Sequence, residues 1–69
     1  MSRTRRLVVN GEVSELTAVT LAALLEELGY GGRKVATALN GEFVPERERA
    51  ATRLSAGDAV EIVAPRQGG

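Results

Sequence analysis

Only one stretch of this sequence has the apolar spacing of a helix that must be buried along one side. Leu21, Leu24, Leu25 and Leu28 stand at offsets of three, four and seven, which places all four on one helical face. Thr20 occupies the position of an N-cap, where a hydroxyl accepts from a free N–H of the first turn. Val19 before it is placed to pack on Leu24 as a hydrophobic staple, and Gly29 supplies a left-handed stop. A single helix of this kind needs something other than a helix to cover its leucines. The segments around it are of strand length, so the cover is a sheet.

Leu7-Val8-Val9, the turn Asn10-Gly11 and Glu12 to Leu16 read as a hairpin, because Asn-Gly readily adopts the positive φ angles of a tight type I′ turn. After the helix, Val35 to Leu39, a second Asn-Gly at Asn40-Gly41, and Glu42-Phe43-Val44 read as a second hairpin. Pro45 cannot donate to a ladder, so the fourth strand ends there or lies at an edge. The charged run Glu46-Arg47-Glu48-Arg49 is expected to be a solvated turn or short helix. Gly57-Asp58 turns the chain into a last strand, Ala59 to Ala64, with Val60 and Ile62 on one face and Glu61 and Val63 on the other. The order strand, strand, helix, strand, strand, strand predicts an α+β fold: a mixed sheet of four to five strands packed on one main helix, a β-grasp. A ferredoxin-like split βαβ would need a second long helix, and the stretch between Pro45 and Gly57 is too short and too charged to form one.

With 69 residues the chain is expected to form a single small domain. It contains no cysteine and no histidine, which removes disulfides, thiol nucleophiles, the usual zinc ligands and the commonest general base. Nine basic and nine acidic residues cancel, which argues against a nucleic-acid footprint; Arg3, Arg5 and Arg6 read as a solvated edge. No apolar run approaches the roughly 20 residues that cross a bilayer, and no signal peptide follows the basic start. The protein is expected to be soluble and cytoplasmic, with no membrane or nucleic-acid partner. Glu26 and Glu27 are adjacent on the helix and read as solubilising rather than as a catalytic pair. Gly29, Gly31 and Gly32 end a helix where a phosphate-binding loop would begin one. Of the two aromatics, Phe43 reads as a core residue and Tyr30 as a loop anchor.

"ALNGEFVP" (Ala38 to Pro45), "LSAGDAVEIV" (Leu54 to Val63) and the final Gly68-Gly69, following the hairpin and the leucine-faced helix, resemble the small sulfur carrier proteins of thiamine biosynthesis. The likeness spans nearly the whole chain. The pattern differs where Glu46 separates Pro45 from Arg47 and where Ala50 and Ala51 follow instead of the tryptophan often found in that family. The resemblance implies a ubiquitin-like β-grasp domain over residues 1–64 and a C-terminal tail over 65–69. It also implies a carrier rather than an enzyme, whose Gly69 carboxylate is adenylated by an ATP-dependent adenylyltransferase and converted to a thiocarboxylate. Sulfur from a donor such as a cysteine desulfurase is then handed on to thiazole synthase. ATP and Mg belong to the activating partner, and the carrier itself binds no cofactor.

The tail residues suit that role. A carboxylate is a poor acyl donor until it is joined to a good leaving group, so the carrier's terminus must enter a partner's active site, with Arg66, Gln67 and Gly68 drawn in behind Gly69. Glycine lacks a Cβ and tolerates almost any backbone angle, which lets main chain approach a nucleotide closely. The free tail is expected to be mobile, because ordering costs roughly 1–2 kcal/mol per residue and Gln67-Gly68-Gly69 offers little apolar area in return. Pro65, with its fixed φ, points the tail away from the sheet. Since the chain has no cysteine to form a persulfide, the terminal carboxyl is the place for sulfur. Two other readings share the same terminus: a carrier similar to the small subunit of molybdopterin synthase, and a protein modifier joined through Gly69 to target lysines. Partners are expected on the exposed side of the sheet, with Phe43, Val44 and Val63 as docking candidates.

Overall fold

The computed structural model describes residues 3–65. Five strands form one sheet in the order β2-β1-β5-β3-β4, with β1 at Arg5–Val9, β2 at Glu12–Leu16, β3 at Ala36–Leu39, β4 at Glu42–Val44 and β5 at Ala59–Val63. The helix α1, Leu21–Glu27, crosses one face, and a 3₁₀ helix at Glu46–Ala51 packs beside it. β5 lies in the centre, parallel to β1 and antiparallel to β3. This is the β-grasp read from the sequence.

Both hairpins turn on the expected residues. Asn10 and Gly11 have φ of 50° and 85°, Asn40 and Gly41 of 51° and 85°, all in the left-handed region that a type I′ turn requires. Each turn sets a register that sends alternate side chains inward. Leu7 and Val9 of β1, Leu16 of β2, Thr37 of β3, Val44 of β4 and Val60 and Ile62 of β5 are buried under Leu21, Leu24 and Leu25 of α1. Ala18 and Leu54 close the core at one end, and Leu28 is half-buried against it.

The helix begins and ends as read. Thr20 accepts from the Ala23 N–H at 3.1 Å. At the other end the Gly29 N–H donates to the Glu26 carbonyl at 3.1 Å and the Tyr30 N–H to Leu25 at 2.8 Å, the paired bonds of a Schellman motif around a glycine with φ of 88°. Tyr30 packs on the core edge as the expected anchor. The staple expected of Val19 is absent: Val19 is 45% exposed and stands outside the core cluster. Its place is taken by main chain, where Leu21 N–H donates to Thr52 and Leu54 N–H donates to Val19, both at 2.9 Å.

Two expectations about charge are corrected. Arg6, at the start of β1, is exposed as a solvated residue should be and pairs with Glu15 at 3.3 Å across the hairpin, whereas Arg5 beside it is half-buried and donates to the Ala18 carbonyl. Within the 3₁₀ helix, Glu46, Arg47 and Glu48 are exposed, but Arg49 turns inward and is only 9% exposed. A 3₁₀ repeat of three residues per turn presents one face to the protein. Arg49 is on that face.

Candidate functional site

The region that leads to the chain's C-terminus is built on β5. Because β1 pairs with β5 only through Val8 and Val9, the Ile62 backbone runs on beyond the last residue of β1. The Asn10 side chain fills that gap: its Oδ1 accepts from the Ile62 N–H at 2.8 Å and its Nδ2 donates to the Ile62 carbonyl at 3.2 Å. Asn40 does the same at the start of the strand, accepting from the Ala59 N–H at 2.9 Å. The two turn asparagines therefore fasten both ends of the strand from which the tail departs. On its far side Val63 lies opposite Ala36, and a shallow depression there is lined by Lys34, Val35, Ala36, Val63 and Pro65. Arg66, Gln67, Gly68 and Gly69, together with the mobility expected of them, lie outside the described residues.

The sheet's outer face is open and largely apolar. Ala38 pairs with Phe43 and with Glu61, Ala36 with Val63, and Val8 with Val13 and Ala59. These residues alternate with the buried set, so their side chains point away from α1. Phe43 is 70% exposed, Val13 64% and Val63 62%. Phe43 is thus no core residue, because the Asn40-Gly41 turn fixes a register in which its neighbour Val44 points inward opposite Thr37. Val44 is buried, and its side chain has no place among the exposed docking candidates. Phe43 and Val63 stand on the outer face as expected of such candidates. The sequence placed Glu61 beside Val63 on this face, as observed, but missed Val8, Val13, Ala36 and Ala38 as members of it, although strict alternation along each strand carries the signal.

Arg49 anchors the floor of this platform. Its Nε donates to Thr37 Oγ1 at 3.0 Å and its Nη2 to the Val35 carbonyl at 2.6 Å, while the Thr37 hydroxyl donates to the Val44 carbonyl at 2.8 Å. One guanidinium thereby ties the 3₁₀ helix to β3 and, through Thr37, to β4. It also lines an open cleft of about 760 Å³ with Glu26, Tyr30, Arg33, Lys34 and Glu46. The Arg33 guanidinium lies 5.6 Å from the centre of the Tyr30 ring, a cation–π contact on the wall of that cleft.

Glu27 is more than a solubilising residue. Its carboxylate accepts from the Thr17 N–H at 3.0 and 3.1 Å, from the Ala18 N–H at 2.9 Å and from the Thr17 hydroxyl at 3.2 Å. The Thr17 N–H above all holds its pKa below the ordinary carboxyl value, and partial desolvation opposes that shift only in part. Glu15 is lowered as well, by the Thr4 hydroxyl first and then by Arg6. Both acids are held ionised by bonds that fasten the fold. Neither has the raised pKa of a general acid, and the full chain has no histidine or cysteine to act with them.

A sequence profile of the ThiS family matches residues 7–69, which includes both terminal glycines. Sulfur carrier protein ThiS of Thermus thermophilus is 43% identical over 61 residues, 88% of this chain and 95% of that protein. A thiazole synthase of Paramagnetospirillum magneticum is 47% identical over 60 residues, 86% of this chain; the match spans 18% of that longer protein. The crystal structure of a thiamine biosynthesis protein, ThiS, from Geobacter metallireducens superposes with a TM-score of 0.78 at 32% identity, covering 93% of this chain and 99% of that one. Its match carries the same β-grasp, so sequence and fold agree over nearly the whole length. The chain belongs to the ThiS family of sulfur carrier proteins.

Proposed function

We propose that this protein carries sulfur on the carboxyl group of Gly69 for assembly of the thiazole ring of thiamine. In the first step a Gly69 carboxylate oxygen attacks the α-phosphorus of ATP in a separate activating enzyme, and pyrophosphate leaves. The terminal sulfur of the donor's persulfide then attacks the acyl carbon of the adenylate and AMP leaves, giving an acyl disulfide; a thiol cleaves its S–S bond, is itself oxidised to a disulfide with the donor's cysteine, and leaves the terminus as a thiocarboxylate. The thiocarboxylate donates its sulfur in the active site of a thiazole synthase. The chain acts as a protein co-substrate, with ATP and Mg bound by the activating enzyme and sulfur supplied by a donor such as a cysteine desulfurase.

The observation that carries this reading is the family match running through Gly68-Gly69 in a chain that has no cysteine. Cytosolic protein sulfur is otherwise held on cysteine as a persulfide, and that route is closed here. The name of the Paramagnetospirillum relative adds support for the acceptor. A carrier-like segment within a chain called a thiazole synthase suits two activities that work on one another. The platform supports docking: β5 is pinned at both ends, and the outer face offers Phe43 on β4 and Val63 beside the base of the tail.

Removal of Gly69 tests the role of the terminus. Among the described residues, the buried hydrophobic ones lie between Leu7 and Ile62, so the shortened chain is expected to melt at the same temperature as the full one. Adenylation by the activating enzyme, followed as ATP–pyrophosphate exchange, is expected to be lost. Exchange at an undiminished rate in the shortened chain would overturn the assignment of Gly69 as the activated group.

A further inference from the structure

Glu61 is the only acidic residue in the apolar middle of the outer face. It sits on β5 between Ala59 and Val63 and pairs across to Ala38, beyond which lies Phe43. The other outward carboxylate of the sheet, Glu15, belongs to the far end of the β1–β2 hairpin and is paired with Arg6. Among the described residues Glu61 has no ion-pair partner and no side-chain hydrogen bond. Its immediate neighbours Ala36, Ala38 and Ala59 are too short to shield it or to bond it. The carboxylate therefore rises from a low shelf of alanines between two large exposed apolar side chains.

An unpaired charge on a surface that will be covered is costly unless the covering protein neutralises it. The geometry points to Glu61 as the ionic specificity determinant of this face toward the activating enzyme: that enzyme sets a cationic side chain, an arginine, against it. Arginine fits better than lysine because its planar and weakly hydrated guanidinium can lie flat on the alanine shelf while it bonds the carboxylate. Phe43 and Val63 then supply apolar contact around the pair and exclude water from it. The face is continuous with the tail, since Val63 and Pro65 line one depression with Ala36.

This inference rests on the outer face being the docking surface of the proposed carrier, and the test separates the two. The activating enzyme serves as the probe, with the carrier's KM and kcat in ATP–pyrophosphate exchange measured at low and high salt for Glu61→Gln, Glu61→Arg and Phe43→Ala. Circular dichroism melting verifies that each exposed-site variant is folded. Glu61→Gln is expected to raise KM about tenfold at low salt, with kcat unchanged and the difference shrinking at high salt; Glu61→Arg raises it further, because like charges then oppose. A KM unchanged in both Glu61 variants while Phe43→Ala raises it would overturn the role of Glu61 and leave the docking face standing. No change in any of the three would overturn the docking face itself, and the Glu61 proposal with it.

Discussion

Arg49 keeps a full positive charge where only 9% of its surface meets solvent, and no carboxylate among the described residues lies within ion-pair distance of it. Burying a lone cation costs several kcal/mol unless hydrogen bonds replace its water. Thr37 and Val35 do so here, and the 3₁₀ helix is held to β3 as a result. Thr37→Val keeps the volume but leaves the buried Nε–H unpaired. It is expected to lower stability by about 2 kcal/mol in urea titration, and an unchanged midpoint would show that the bond is not holding the helix. Glu27 acts by the opposite sign of charge. Its carboxyl titrates below its unfolded value, so the stabilisation is complete above the unfolded pKa and is lost as pH falls through the folded one. Glu27→Gln is therefore expected to lower the melting temperature at neutral pH and to match the parent in acid. An equal deficit at both would mean the contact is steric. Neither residue was legible in the sequence, where Arg49 sat in a run of alternating charge and Glu27 beside another glutamate. Their roles depend on neighbours distant in the chain, at 14 and 10 residues.

At the scale of elements, the sequence specified starts, stops and faces well because each rests on local sterics. The type I′ turns follow from Asn-Gly, the cap from Thr20 and the end of α1 from Gly29, all within a few residues. Gly29→Ala forces a side chain into φ of 88°, and a loss of about 1 kcal/mol is expected in thermal melts, with the melt remaining cooperative. A neutral or stabilising effect would mean that the helix does not need its left-handed stop. What the elements did not declare was which of them would be tied by side chains. The Asn10 and Asn40 amides were read as turn formers, yet they also extend the ladder onto β5. Asn10→Gly retains the turn and removes the amide. It is expected to speed hydrogen exchange at Ile62 selectively, whereas uniform exchange across the sheet would mean the strand is fixed by packing alone. Phe43 was misplaced for a related reason: in a strand of three residues, only the pairing register decides which side chain turns inward.

For the whole molecule, the fold was legible because a single leucine-faced helix among short strands leaves few architectures that bury it. The proposed site rests on a different kind of signal. Composition removed the usual catalytic groups, and the family likeness at Gly68-Gly69 supplied the alternative. The outer face was only partly legible, since its residues come from all five strands and meet only when the sheet forms. The structure describes a sheet fastened under Arg49 and along β5 whose outer face is open and largely apolar. The central claim is that Gly69 carries the sulfur. The most direct measurement is the intact mass of the untagged protein after incubation with its activating enzyme, ATP and a sulfur donor. The account predicts a species heavier by one oxygen-to-sulfur exchange, with the change located at Gly69 by fragmentation. An unmodified mass under conditions where the adenylate forms, or sulfur located at any other residue, would contradict it.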